Sequence, residues 1–182
     1  MIEQIKIGCA STKTTYGHRL DTTLVELNSD AKISGLFTSN KFKSAPVQIC
    51  LDQLEAKMKG KKMLAINAGN ANAATGKKGV SDAKKLIQEI SNLTNISTTQ
   101  ILPFSTGVVG QLLDVKQLSL AFNKCFKNLS KNSWDDFAKA IMTTDTKSKI
   151  IKLPFKAGSK KYHIVGIAKG VGMIEPLSLI HI

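Results

Sequence analysis

One stretch limits the fold more than any other. Val80, Ala83, Leu86, Ile87, Ile90 and Leu93 recur at the spacing of a single helix face, so residues 80–93 are expected to be helical. Ser81 or Asp82 can cap that helix, and Lys84 and Lys85 form its solvated side. On either side lie short apolar runs, Lys62 to Ile66 and Ile101 to Phe104, which read as strands and end in Asn, Gly, Ser and Thr residues. Strands alternating with helices place the chain in the α/β class.

The remainder follows the same alternation. Ile2 to Ala10 and Thr22 to Leu27 are expected strands, with Gly17 and Asp21 in the turn region between them. Ala31 to Thr38, nearly continuous in apolar character, is expected as a buried third strand. Pro46 suits the first turn of a helix that would run to about Lys57 with Val47, Leu51 and Leu54 inward. Asp114 with Gln117 offers a capping-box-like start for a helix through Leu129, whose inner face is Leu118, Phe122, Cys125, Phe126 and Leu129. Trp134 to Met142 predicts another helix with Trp134, Phe137, Ala138 and Ile141 inward. Lys149 to Phe155 and Lys160 to Ile167 predict a hairpin across residues 156–159.

Bulk properties exclude several classes of protein. A length of 182 residues permits one domain, or half of a larger one. No apolar run can span a bilayer, and charges interrupt the N-terminus where a signal peptide would need an apolar core. A cytoplasmic location without membrane attachment is expected. Cys9, Cys50 and Cys125 are odd in number and scattered, which fits reduced structural thiols. The formal charge of +13 raises nucleic acid as a partner. Against it, Arg19 is the only arginine, the lysines are dispersed, and aromatics for base stacking are few. No nucleic-acid partner is expected, though a basic binding module stays open as an alternative.

Acyl transfer needs a nucleophile, a base and donors for a developing oxyanion. The chain has no G-x-S-x-G elbow, and His18, His163 and His181 lie far apart with no metal-helix spacing. Neither a serine triad nor a metal site is expected. The GNANAATGKKG stretch at 69–79 lacks the spacing of a phosphate-binding loop; its Gly, Ala and Asn suit close backbone approach and local amide hydrogen bonds. Ser105-Thr106-Gly107 ends a strand in small hydroxyl residues and glycine. It can present a backbone N–H beside a hydroxyl, or be an ordinary strand-to-helix turn. Lys169 sits in Ala168-Lys169-Gly170-Val171-Gly172, a glycine-rich turn closed by Pro176, either as a solvated cation or as a ligand for a carboxylate.

Five segments resemble, in order, motifs of the glutamate N-acetyltransferases, also called ornithine acetyltransferases: FTSNKFKSAPV at 37–47, INAGNANAATG at 66–76, STG at 105–107, IMTTDTK at 141–147 and AKGVGMIEP at 168–176. The resemblance implies half of an N-terminal-nucleophile-type autoprocessed enzyme. It implies oxyanion stabilisation by Thr106 and Gly107, and substrate contacts from Thr143 and Lys169. It further implies acetyl transfer from N-acetylornithine to glutamate in arginine biosynthesis through an acetyl-threonine, without a cofactor, acetyl-CoA being a further donor in some members. Two chains from one precursor would assemble as an α2β2 heterotetramer. A related N-terminal-nucleophile aminopeptidase remains an alternative.

The family pattern continues past Pro176 through Asn-Met-Ala to the nucleophilic threonine, whereas this chain reads Leu177-Ser178-Leu179-Ile180-His181-Ile182. Residues 1–176 are therefore expected to form an α-chain domain and 177–182 a non-native tail, leaving no nucleophile in this chain.

Overall fold

In the computed structural model, residues 5–130 and 133–170 are described. Four strands form one sheet in the order β1-β2-β3-β4: β1 Ile5–Ala10, β2 Thr22–Leu27, β3 Lys62–Asn70 and β4 Ile101–Val108. The first two pairings are antiparallel and β3 with β4 is parallel. A parallel pair needs a crossover, and α2 (Gly76–Thr94) supplies it. The remaining elements are α1 (Ala45–Glu55), α3 (Val115–Lys127), α4 (Trp134–Ala140) and the antiparallel hairpin β5 (Lys149–Ala157) and β6 (Lys160–Ala168).

Strand side chains alternate between two cores, as the pleat requires. Leu24, Met63, Ala65 and Ile101 face α1, α2 and α3, meeting Ile49, Leu86, Ile87, Ile90, Phe122 and Cys125. Val25, Leu27, Ile7 and Ile66 face the opposite way, toward Ala140, Trp134, Phe137 and Ile141. The middle strands are covered on both sides, which explains their continuous apolar runs.

Helix α2 buries Ala83, Leu86, Ile87 and Ile90, the expected stripe. It starts a turn earlier than expected, at Gly76, so Ser81 and Asp82 lie inside it instead of capping it. It ends at Asn95 in the left-handed conformation (φ 57°), whose N–H reaches the Ser91 carbonyl. In α3, the Asp114 carboxylate accepts the Gln117 N–H at 3.0 Å, as the capping spacing predicts.

Two further expectations fail. Residues 31–38 form no strand: the sheet is made of β1-β2-β3-β4 and the run pairs with none of them. It crosses the surface with Ala31 and Ile33 touching the second core and Leu36 fully exposed. Helix α1 buries Ala45, Pro46, Ile49 and Cys50, not Val47, Leu51 and Leu54. Its apolar residues ring most of the helix, so their spacing does not select a face. The tail at 177–182 and the stretch from Val171 to Pro176 lie outside the described residues.

The N-terminal strand is seated very tightly. Gly8 lies against the backbone of α3: a Cβ there would sit 1.9 Å from the Cys125 carbonyl oxygen. The chain leaving α3 then bridges the outer edge of β1, with reciprocal Ile7–Ser130 hydrogen bonds of 2.8 and 3.0 Å.

All three cysteines are buried and free. Burial pushes Cys50 and Cys125 up to about 12 and Cys9 up to about 11. The Cys50 thiol donates to the Pro103 carbonyl at 3.2 Å, so it closes a backbone acceptor on β4. Because the thiolate is the reactive form, native protein at pH 8 is expected to resist a disulfide-exchange reagent until denaturant is added. Rapid labelling of one thiol in the folded state would refute the structural role of that residue.

Candidate active site

The parallel β3–β4 pair ends in the two loops that build the site. At Gly69–Asn70 the register breaks and Asn70 pairs with both Thr106 and Val108. Gly107 has φ +133°, a conformation that L side chains rarely adopt, and an added Cβ would lie 2.4 Å from the Gly69 carbonyl carbon. Glycine at 107 is therefore required both by its backbone angle and by the closeness of the neighbouring loop.

Asparagines fix that loop. Ser105 Oγ donates to Asn67 Oδ1 at 2.7 Å, and Asn67 Nδ2 donates to the Asn70 carbonyl at 2.9 Å. Asn70 Nδ2 donates to the Gln111 and Leu112 carbonyls, both at 3.1 Å, while its Oδ1 accepts the Asn72 N–H at 2.7 Å. Asn72 is fully buried; it accepts from Thr75 Oγ1 and donates to the Gly79 carbonyl. The composition of residues 66–76 signalled local amide bonding, but nothing in it disclosed that these side chains hold the 105–112 segment.

A cleft of about 700 Å³ opens at these loops. Its lining includes Thr106, Gly107, Thr143 and Lys169, which are brought together from three separate segments. Beside it, and sharing Ser44, Ser105, Thr106 and Lys169, lies an apolar cleft of about 510 Å³ bounded by residues such as Phe37, Phe104, Trp134 and Ile167. The Thr106 side chain is half-buried, and among the described residues its hydroxyl has no hydrogen-bond partner. Among the described residues Lys169 Nζ donates only to the Gly170 carbonyl, at 2.9 Å, and no carboxylate pairs with it.

The segments carrying Thr143 and Lys169 meet at Asp145, whose side chain is 1% exposed. One carboxylate oxygen accepts the Thr143 N–H at 3.2 Å; the other accepts the Gly170 N–H and the Lys149 ammonium, the latter at 2.7 Å. Burial alone would raise its pKa, but the Lys149 hydrogen bond, the two backbone donors and the Lys149 charge prevail and hold it at about 2. A depressed acid contributes stability above its ordinary pKa, so this tether persists at neutral pH and is lost only as pH falls from about 4 toward about 2. On the opposite side, Arg19 Nη2 donates to the Met142 carbonyl at 2.8 Å, and its guanidinium also reaches the Thr143 carbonyl, at 3.4 Å from Nη1. The guanidinium lies 3.7 Å from the Tyr16 ring centre. Sequence spacing gave no signal for Arg19 or Asp145, because Arg19 acts on a carbonyl 124 positions away.

A hydroxyl with no partner among the described residues, beside a glycine turn and lining the same cleft as Lys169, is an arrangement suited to acyl chemistry on a substrate that carries a carboxylate. Comparison with known proteins points to one family. The ArgJ family pattern matches residues 4–178. The arginine biosynthesis bifunctional proteins ArgJ of Colwellia psychrerythraea and Methylococcus capsulatus are 37% and 35% identical, each over 96% of this chain. The chain spans 43% and 42% of the length of those two relatives. Among solved structures, the ArgJ protein of Bacillus halodurans superposes with a TM-score of 0.82 at 26% identity, covering 96% of this chain and 90% of that one. The ornithine acetyltransferase of Mycobacterium tuberculosis, solved with ornithine, gives 0.83 at 25% identity, covering 96% and 92%. The chain belongs to the ArgJ family.

Among the described residues no helix is long and apolar enough to cross a membrane, and no cluster of three or more His, Cys, Asp or Glu side chains could hold a metal ion.

Proposed function

We propose that this chain carries the oxyanion-stabilising and substrate-binding half of an acetyltransferase that moves an acetyl group from N-acetylornithine to glutamate in arginine biosynthesis. The convergence of Thr106, Gly107, Thr143 and Lys169 on one cleft, in a chain of this family, carries the reading. Thr106 Oγ1 and the Gly107 N–H donate to the oxyanion that forms when the acetyl carbonyl is attacked. Lys169 pairs with the carboxylate of ornithine or glutamate, and Thr143 supplies a further substrate contact. The attacking group is a threonine in the part of the family's length outside this chain. It takes the acetyl group, releases ornithine, and passes the acetyl group to glutamate. No cofactor is required; acetyl-CoA is a second donor to be tried in the same assay. The ornithine bound in the mycobacterial relative supports the substrate class.

The partner is the remainder of the precursor, released as a β chain by autocatalytic cleavage and assembled with this one as α2β2 in the cytoplasm. The hairpin supports such a partner. Ile151, Leu153, Phe155, Tyr162 and Ile164 share one of its faces and are each between 42% and 55% exposed. A two-stranded hairpin with an open apolar face is marginal alone, and the adjoining apolar cleft is likewise open.

The test measures acetyl transfer from N-acetylornithine to glutamate in two preparations. A chain extended to the family's length is expected to be active, and the 182-residue chain to be inactive. Transfer by the shorter chain would overturn the placement of the nucleophile. A folded, extended enzyme that transfers no acetyl group would overturn the substrate reading.

A further inference from the structure

We propose that Asp145 and Arg19 are positioning residues that grip the Thr143 peptide from both sides, and that Asp145 also ties it to the backbone carrying Lys169. The proposal rests on the site reading above but stands on its own geometry. In the Met142–Thr143 peptide the N–H is held by the Asp145 carboxylate and the carbonyl by Arg19 Nη2 at 2.8 Å, and the guanidinium also reaches the following Thr143 carbonyl. The same carboxylate takes the Gly170 N–H, one residue beyond Lys169. Two segments that are adjacent in the cleft but 26 positions apart in the chain thus share one buried anion.

The local sequence fits this arrangement. A Cβ at Gly170 would sit 2.9 Å from Asp145 Oδ1, so a side chain there would press on the carboxylate. Lys149 neutralises the anion from the hairpin side at 2.7 Å, which leaves Lys169 free of it. Arg19 is held flat by Tyr16, itself a lining residue of the cleft. A guanidinium suits this place because it can donate to two successive carbonyls in one plane, which an ammonium cannot do in a fixed geometry. Neither Asp145 nor Arg19 is among the residues that line the cleft; their effect on substrate must pass through Thr143 and Lys169.

Coupling between variants separates this role from general stabilisation. In the extended enzyme, Asp145→Ala is expected to raise KM for the amino-acid substrate on the order of 10-fold with a smaller change in kcat. In a Lys169→Met/Thr143→Ala background the same change is expected to raise it less than about twofold, because the groups it positions are gone. Asp145→Asn keeps the shape and one acceptor and should lie between; Arg19→Lys should follow the same pattern of coupling. An equal effect of Asp145→Ala in both backgrounds, or an unchanged KM in the first, would overturn the proposal. If Lys169→Met alone leaves KM unchanged, the site reading fails, and the grip is then tested separately. Amide exchange of Thr143 and Gly170 in the 182-residue chain should accelerate on Asp145→Asn, and unchanged exchange at both would refute it.

Discussion

Thr106→Ala in an enzyme extended to the family's length is expected to lower turnover by on the order of 100-fold or more while the protein folds normally. The size follows from where the hydroxyl acts. A donor aimed at charge that appears only in the transition state stabilises that state and not the bound substrate, so its loss falls on kcat. The Thr106 side chain belongs to neither buried core and makes no hydrogen bond within the described residues, so its removal costs the fold little. Thr106→Ser keeps the hydroxyl and should retain most of the rate. Turnover within about threefold of wild type in the Ala variant would remove Thr106 from the oxyanion site, whatever happens to KM.

Gly8→Ala is expected to have the largest effect on folding. One added methyl group would place carbon 1.9 Å from the Cys125 carbonyl oxygen, 2.8 Å from its carbon and 3.1 Å from the Leu129 nitrogen. All three are backbone atoms of α3 or of the turn that follows, so no rotamer change relieves the overlap. Either the helix moves off the sheet, disturbing Phe122 and Cys125, or β1 leaves its place. Overpacking of this kind costs about 3 kcal/mol or more, a large part of the stability of a typical domain. Gly60→Ala is the control. Gly60 has φ +80° and nothing within 4 Å of the added carbon, so only backbone strain of about 1 kcal/mol is expected. Equal denaturation midpoints for the two variants would show that α3 is not held against β1 as described.

What could be seen in the sequence divides along physical lines. Periodic segments were legible because burial imposes the period: the stripes of α2 and α3 and the two arms of the hairpin stand where their spacing puts them. The run at 31–38 misled because apolar character signals contact with a core, which Ala31 and Ile33 make, without saying that the backbone joins a ladder. Helix α1 misled because its apolar residues nearly encircle it. The co-location of Thr106, Gly107, Thr143 and Lys169 could be anticipated only through the family resemblance, since no local spacing links positions 106 and 169. The partners of Asn67, Arg19 and Asp145 were invisible for a related reason, although Asn67 and Asp145 stand inside the quoted motifs. Each is a polar residue whose meaning lies in a backbone group on another segment, and one chain gives no sign of that pairing. The β3–α2–β4 crossover explains why the site forms at all. It sets two loop-bearing strand ends side by side, and the broken register at Gly69–Asn70 lets their backbones touch.

The seating of β1 has a consequence for how the chain emerges from the ribosome. Gly8 packs on a helix whose contact point is Cys125, and among the described residues the Ile7 edge is bridged by Ser130. At a synthesis rate of about 5–20 residues per second, the first strand waits roughly 6–25 s for the surface it fits. Through that interval the Gly8 face of β1 has no helix against it, and the outer edge of β1 stays open to any other extended segment. Folding of this chain cannot proceed strictly from its N-terminus, and nascent chains stalled before Ser130 should be the ones that engage chaperones.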